Sequence, residues 1–311
     1  VTPVTSALSV PTDWVRVRAP GKVNLSLRAA APGPDGYHPL VTVFQAVSVY
    51  EDVVATAADD ITVSMTGTGD QIVPTDSSNL AVRAAQLLAS RAGISDGVHL
   101  HIDKRVPVAG GMAGGSADAA AALVATDELW GTGASREDLL DLGRQLGADV
   151  PFALMGHTAV GTGRGDMLTP AMVVGEFHWA LAFAEHGLST PRVFSALDDL
   201  RGDEVPESDP DSDIELMQAL RTGDPHALGE ALHNDLQPAA LHLLPDLGRT
   251  VQTARDAGAL GVVVCGSGPT VAALGRNRAH AQVVAASLTL AGVARQVVTA
   301  TGPVPGARLL V

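Results

Sequence analysis

The chain has 311 residues, 46% of them apolar, and a formal net charge of −14. That length and apolar share describe a folded globular protein of one large or two medium domains, and the acidic balance excludes a nucleic-acid surface, whose footprint is basic. A single cysteine, Cys265, excludes an intrachain disulfide, and no run approaches the ~18 apolar residues of a membrane span.

Val1 to Asp13 carry neither a basic n-region nor a long apolar run, so no signal peptide is expected and the expected location is cytoplasmic. Trp14–Ala19 and Val23–Ala30 read as two strands joined at Pro20-Gly21, and the valine-rich stretch Leu40–Ala57 as one or two more. Between them lies a turn-rich loop, Pro32 to Pro39, carrying Tyr37 and His38. Ile61–Met65 is a short strand, Asn79–Ala92 has helical spacing, and Val98–Val106 alternates as a strand does. A glycine loop at 107–120 opens a helix reaching about Trp130. A second helix follows, N-capped by Ser135 with Asp138 three residues on, and ends at Gly147. Asp149 then stands between apolar neighbours at the foot of that helix.

Residues 157–184 return to β character with a turn at Gly161–Gly165, and the stretch 161–175 offers the best domain boundary, giving domains of 1–170 and 171–311. The acidic, Pro- and Ser-rich segment 198–215 reads as a solvated loop. Helical patterns occupy about 214–222, 225–233, 246–257 and 277–291. Strands are expected at Val262–Cys265, Val271–Leu274 and Arg295–Ala300. Strands and helices mix without strict alternation, which favours α+β over a doubly wound sheet and speaks against an NAD-dependent oxidoreductase.

The glycine loop is the most informative stretch. Gly110, Gly111, Gly114 and Gly115 allow backbone N–H groups to turn inward, and the helix behind them adds unpaired N–H groups and a positive dipole end. Strand, glycine loop and helix together make an anion cradle, most often for phosphate. No Gly-Lys-Ser/Thr closes the loop and no acidic residue follows at the dinucleotide offset, so neither of those fingerprints applies. Ser116 and Asp118, in the first turns of the helix, suit either a nucleotide-bound Mg²⁺ or a helix cap.

Of 20 basic residues only Lys22 and Lys104 are lysines, which marks both as positions where a compact ammonium is wanted. Asn24 shares a strand face with Lys22. His99 and His101 lack a third ligand and read as structural or exposed, and Cys265 reads as a buried apolar residue.

Three segments together, Pro20-Gly-Lys-Val-Asn-Leu-Ser-Leu27, the loop at 107–120 and Cys265-Gly-Ser-Gly-Pro-Thr270, resemble the three motifs of the GHMP small-molecule kinases, the group of galactokinase, homoserine kinase and mevalonate kinase. Asp35-Gly-Tyr-His38 with Phe44-Gln45, Leu146 to Phe152 and Ser189 to Phe194 are similar to the branch acting on a cytidyl diphosphate substrate of isoprenoid precursor synthesis. Two departures stand out: Gly21 where the family often has Ala, and Ala113 where it often has Gly.

The resemblance implies a two-domain α+β fold, with a ribosomal S5 domain 2-like N-terminal domain and a ferredoxin-like C-terminal domain. It implies ATP-dependent phosphorylation of the 2-hydroxyl of 4-diphosphocytidyl-2-C-methyl-D-erythritol, with Mg²⁺ entering on the nucleotide and no resident metal. Homoserine- or mevalonate-type kinases and a non-catalytic nucleotide-binding regulator are the alternatives. Asp149 is the implied base, with Lys22 as its neighbour. ATP is implied to meet Pro107, Val108, Ala109, Gly110, Gly111, Met112, Ala113, Gly114, Gly115, Ser116 and Ala117, with Asn79 and Lys104 near the adenine. Lys104 reads equally as an exposed strand end. The acceptor is implied to meet Asn24, Tyr37, His38, Thr190, Pro191 and Phe194, cytosine stacking between Tyr37 and Phe194 with His38 on its edge. Gly266, Ser267 and Gly268 form a second glycine turn implied to close the site. The expected partners are ATP and a small-molecule acceptor, with no nucleic acid and no membrane, in a monomer or homodimer.

Overall fold

Two long strands form the backbone of the first sheet in the computed structural model, which describes residues 14–68, 73–202 and 213–310. β1 (Trp14–Ala29) and β2 (Leu40–Ala58) pair antiparallel over nearly their whole length. The two strands expected around Pro20-Gly21 are one: the register shifts between Pro20 and Gly21 and again between Asn24 and Ser26, so bulges absorb the break instead of ending the strand. β3 (Thr62–Gly67) lies at the edge of the sheet, and α1 (Leu80–Ala92) follows with Asn79 as its N-cap. β4 (Gly97–Lys104) runs between β2 and β3 and feeds the glycine loop and α2 (Gly114–Trp130).

α3 (Arg136–Leu146) starts at the expected capping box, with the Asp138 N–H donating to Ser135 Oγ at 3.1 Å and the Ser135 N–H to Asp138 Oδ2 at 3.0 Å. A short helix without a sequence signal follows, α4 (Val150–Met155), with Asp149 at its N-cap position. β5 (Thr158–Gly163) and β6 (Met167–Pro170) flank the expected turn. β5 pairs the first half of β2, whose second half pairs β4, so the long valine-rich stretch is a single strand serving two neighbours.

β7 (Phe177–Phe183) begins the second sheet. α5 (Thr190–Arg201) comes next, so residues 198–201 of the expected acidic loop are helical, residues 203–212 lie outside the described residues, and 214–215 open α6 (Ile214–Thr222). Then come α7 (Pro225–Ala231), the two-residue β8 (His233–Asn234), the unforeseen α8 (Gln237–Leu243) and α9 (Asp246–Asp256). β9 (Gly261–Val264), β10 (Val271–Gly275), α10 (Arg278–Leu290), β11 (Gln296–Gly302) and β12 (Arg308–Leu309) complete the chain. The second sheet runs β11-β7-β10-β9, all antiparallel, while β8 and β12 return to pair with β1.

Alternation along β7 assigns the layers. Phe177, Trp179, Leu181 and Phe183 face a core shared with Val23, Leu25, Val43 and Val47 of the first sheet, while Ala180 and Ala182 face α9 and α10. Each large side chain so buried contributes about 2 kcal/mol, and the Trp179 indole N–H donates across the sheets to Gln45 Oε1 at 3.1 Å. α1, α2, α3 and α4 cover the other face of the first sheet. α2 is alanine-rich and buried almost all round, as expected of a helix with no polar stripe.

Candidate active site

β1, β2, the glycine loop, the 146–149 corner, the β5–β6 turn and the start of α5 converge on one cavity of about 1300 Å³. Of the residues singled out in the sequence, Lys22, Asn24, Tyr37, His38, Asn79, Lys104, Asp149, Thr190, Pro191 and Phe194 line it. Pro107 to Gly111 and Ala113 to Ser116 line it too. Met112 and Ala117 do not. Both side chains are fully buried in the cores beneath the loop and anchor it from behind, so any meeting with the nucleotide is through their backbone. Met112 still contributes its carbonyl, which accepts the Lys22 N–H at 3.1 Å.

The cradle is built as the glycines require. The first helical bond of α2 is Ala117 N–H to Ala113 O at 2.9 Å, which leaves the N–H groups of Gly114, Gly115 and Ser116 without intrahelical acceptors. Ala113 sits in the left-handed region at φ 60°, which explains a preference for glycine there. Gly111, at φ 78°, presses so closely on the second glycine turn that a Cβ would lie 1.9 Å from Cys265 O. Thr270 N–H donates to Gly110 O at 3.1 Å. The two glycine turns therefore interlock, as expected of Gly266 to Gly268. Cys265 between them is buried, and that burial pushes its thiol up to about 12 against the pull of the Lys22 ammonium, leaving an inert apolar side chain.

Lys22 is 5% exposed. Its ammonium donates to Asn24 Oδ1 at 2.7 Å, and Asn24 Nδ2 donates in turn to Thr42 Oγ1 at 2.8 Å. Among the described residues no carboxylate comes within ion-pair distance of Lys22, and Asp149 lines the same cavity. A buried ammonium held by a neutral amide, with the Phe44 ring 5.6 Å away, has charge to spare for an anion.

Lys104 is the opposite case. It is 2% exposed, which rules out the exposed strand end, and donates to Asp118 Oδ2 at 2.6 Å and Glu51 Oε1 at 3.1 Å. Glu51 also accepts the Arg105 N–H. Burial and the Asp118 charge push Glu51 up to about 8, and burial raises Asp118. Burial opposes the Lys104 charge as well, yet the two carboxylates outweigh it and hold Lys104 above its ordinary value. Asp118 gives Oδ2 to Lys104 while its buried Oδ1 accepts no hydrogen bond among the described residues, so both side chains weighed for Mg²⁺ keep an open oxygen, Asp118 Oδ1 and the Ser116 hydroxyl. Asn79 is committed, its Oδ1 accepting from Ala81 N–H and its Nδ2 donating to Pro74 O, each at 2.8 Å.

At the aromatic arm, Phe194 stacks on His38 with centroids 4.9 Å apart. His38 Nδ1–H donates to Ala30 O at 2.7 Å and Nε2 lies 3.3 Å from Asp198 Oδ2, so both ring nitrogens already have protein partners. Tyr37 is 55% exposed, and Arg164 lies over its ring at 3.7 Å. Thr190 Oγ1 bonds Ser267 Oγ at 2.9 Å, tying α5 to the second glycine turn. Arg164, Asp166, Asp198 and the apolar Leu27, Leu40 and Phe44 also line the cavity without having been singled out as binding residues. Leu27 and Phe44 stood inside quoted motifs and the glycine-flanked Arg164 inside an expected turn, but none of these signals pointed to a binding role.

The family described as "GHMP kinases N terminal domain" matches residues 79–157, and "GHMP kinases C terminal" matches 216–294. A relative from Leifsonia xyli subsp. xyli (strain CTCB07), called 4-diphosphocytidyl-2-C-methyl-D-erythritol kinase, is 54% identical over 305 residues, 96% of this chain and 99% of its own. A crystal structure of 4-(cytidine 5'-diphospho)-2C-methyl-D-erythritol kinase superposes with TM-score 0.76 at 31% identity, covering 92% of this chain and 98% of that one. Homoserine kinase from Cytophaga hutchinsonii ATCC 33406 shares the fold, with TM-score 0.73 at 20% identity over 97% and 99% of the two chains. No helix among the described residues is long and apolar enough to cross a membrane.

Proposed function

The chain belongs to the GHMP kinases, and from that premise we propose that it transfers the γ-phosphoryl group of ATP to the 2-hydroxyl of 4-diphosphocytidyl-2-C-methyl-D-erythritol. One observation carries the reading. A single cavity is lined by a phosphate cradle, by a buried ammonium with no carboxylate partner among the described residues, and by an aromatic arm suited to a nucleobase.

The nucleotide phosphates lie against the N–H groups of Gly114, Gly115 and Ser116, where the α2 dipole favours negative charge. Mg²⁺ would arrive with the nucleotide and neutralise phosphate charge, and the Ser116 hydroxyl and Asp118 Oδ1 are the protein oxygens that would hold it. Asp149 accepts the proton of the acceptor hydroxyl as its oxygen bonds to the γ-phosphorus. The bond from that phosphorus to the β-bridging oxygen breaks, and ADP leaves. Lys22, oriented by Asn24, stabilises charge on the transferring group. Because Asn79 and Lys104 spend their polar atoms on Pro74, Ala81, Glu51 and Asp118, they shape the nucleotide side of the cavity through packing. The cytosine is held by Tyr37 and Phe194, with His38 keeping Phe194 in place.

The test is ATP consumption by the purified protein with Mg²⁺ and, in parallel, the cytidyl acceptor, homoserine or mevalonate. Turnover with the cytidyl acceptor alone is expected. Turnover with another acceptor would discard the cytosine reading, and silence with all three would leave a nucleotide-binding regulator.

A further inference from the structure

Tyr37 and Phe194 each have one ring face already occupied by protein. His38 covers one face of Phe194, and the Arg164 guanidinium covers one face of Tyr37. A planar base stacked on Tyr37 would take the ring face that Arg164 does not cover. Yet Tyr37 is more than half exposed, on a loop, and a tyrosine in that setting samples several rotamers unless something holds it.

Arg164 is that restraint. It sits in the β5–β6 turn, between Gly163 at φ 71° and Gly165 at φ 92°, and its N–H donates to Asp166 Oδ1 at 3.2 Å. Its guanidinium stacks on Tyr37 at 3.7 Å, and Nη2 reaches Asp35 Oδ2 at 3.1 Å. The other oxygen of Asp35 accepts the Tyr37 N–H at 3.1 Å. One arginine thus grips both the ring and the backbone of Tyr37, the latter through Asp35. The Tyr37 N–H and Arg164 both hold the Asp35 carboxyl below its ordinary value.

We propose that Arg164 is a positioning residue of the acceptor site, fixing Tyr37 so that its free face receives the nucleobase. This rests on the cytidyl reading above. A planar guanidinium suits the role, since it can stack on the ring and hydrogen-bond Asp35 in the same pose, which an ammonium cannot.

Steady-state kinetics on the full chain, with calorimetric titration of cytidine 5'-diphosphate as a probe independent of turnover, test this. Arg164→Ala should raise the acceptor KM and the diphosphate Kd about three- to tenfold, with kcat and the ATP KM within about twofold of the parent. Arg164→Lys should fall between. In an Arg164→Ala, Tyr37→Ala double variant the second change should add nothing beyond Tyr37→Ala alone, because Arg164 acts through that ring. An unchanged acceptor KM overturns the proposal. So does a lower one, which would make Arg164 a plug over the base site, and so do multiplicative losses in the double variant, which would place Arg164 on the acceptor itself. Unchanged thermal midpoints separate these outcomes from misfolding. A parent enzyme inactive on the cytidyl acceptor would refute the proposed function instead, whereas an active parent with an indifferent Arg164→Ala would sink only this inference.

Discussion

Lys22 and Lys104 differ in what surrounds an ammonium of the same kind. Asp118, with Glu51 beside it, pairs with Lys104, while Lys22 has the oxygen of an amide and the Phe44 ring 5.6 Å away, so in the proposed reaction the anion-stabilising role is assigned to Lys22. Its Nζ lies against the second glycine turn, 3.0 Å from where a Cβ on Gly266 would stand, with its contact to Asn24 set for a compact ammonium. Lys22→Arg should therefore lower kcat by about 100-fold despite keeping the charge. A fall of less than tenfold in a steady-state assay would show that charge alone suffices. Asp149→Asn should bind ATP and acceptor normally, as read by calorimetry, yet lose about 10²–10⁴ in kcat; near-normal turnover would remove Asp149 as the base. Residue identity at these positions was legible from motif order. Their separation was not, because Asp149 and Lys22 lie far apart in the chain and only the packing of α4 against the sheet sets the distance between them.

The buried cluster of Glu51 on β2, Lys104 on β4 and Asp118 on α2 ties the strand that precedes the glycine loop to the helix that follows it. Glu51 ionises near 4.5 in an unfolded chain and at about 8 in the fold, where burial and Asp118 hold its proton. Between those values the folded state binds more protons than the unfolded one. The stability this group contributes is therefore complete below 4.5 and lost as pH rises through about 8. Glu51→Gln should flatten the decline in thermal midpoint across that window while lowering stability at its acid end; an unaltered slope would show that Glu51 is ionised throughout. At the start of α3, Ser135→Ala should cost about 1 kcal/mol in denaturant unfolding and leave kcat untouched. That capping box was readable because both its partners lie within one turn. α4 and α8 were not foreseen because 6 and 7 residues show too little of a helical period, and the α5 segment was read only as a short motif.

Across the whole molecule the two sheets meet at a shared core and, above it, at two glycine turns pressed together. Gly111→Ala would drive a methyl group into Cys265 O at a backbone angle that disfavours any side chain. We expect a loss of roughly 2–5 kcal/mol in denaturant unfolding, with ATP affinity falling alongside. A variant of parental stability would mean the turns can part without consequence. The sequence by itself determined the class of fold, the glycine loop ahead of α2, the lysines worth attention and the family, because each depends on local pattern: glycine spacing, alternation, caps and short motifs in fixed order. Only the tertiary structure decided that Met112 and Ala117 face inward, that Lys104 is paired with a carboxylate while Lys22 is not, that His38 spends both nitrogens on the protein and that Arg164 backs Tyr37. Those outcomes depend on which distant segments meet, and burial, charge pairing and ring stacking are properties of the meeting, absent from either segment alone.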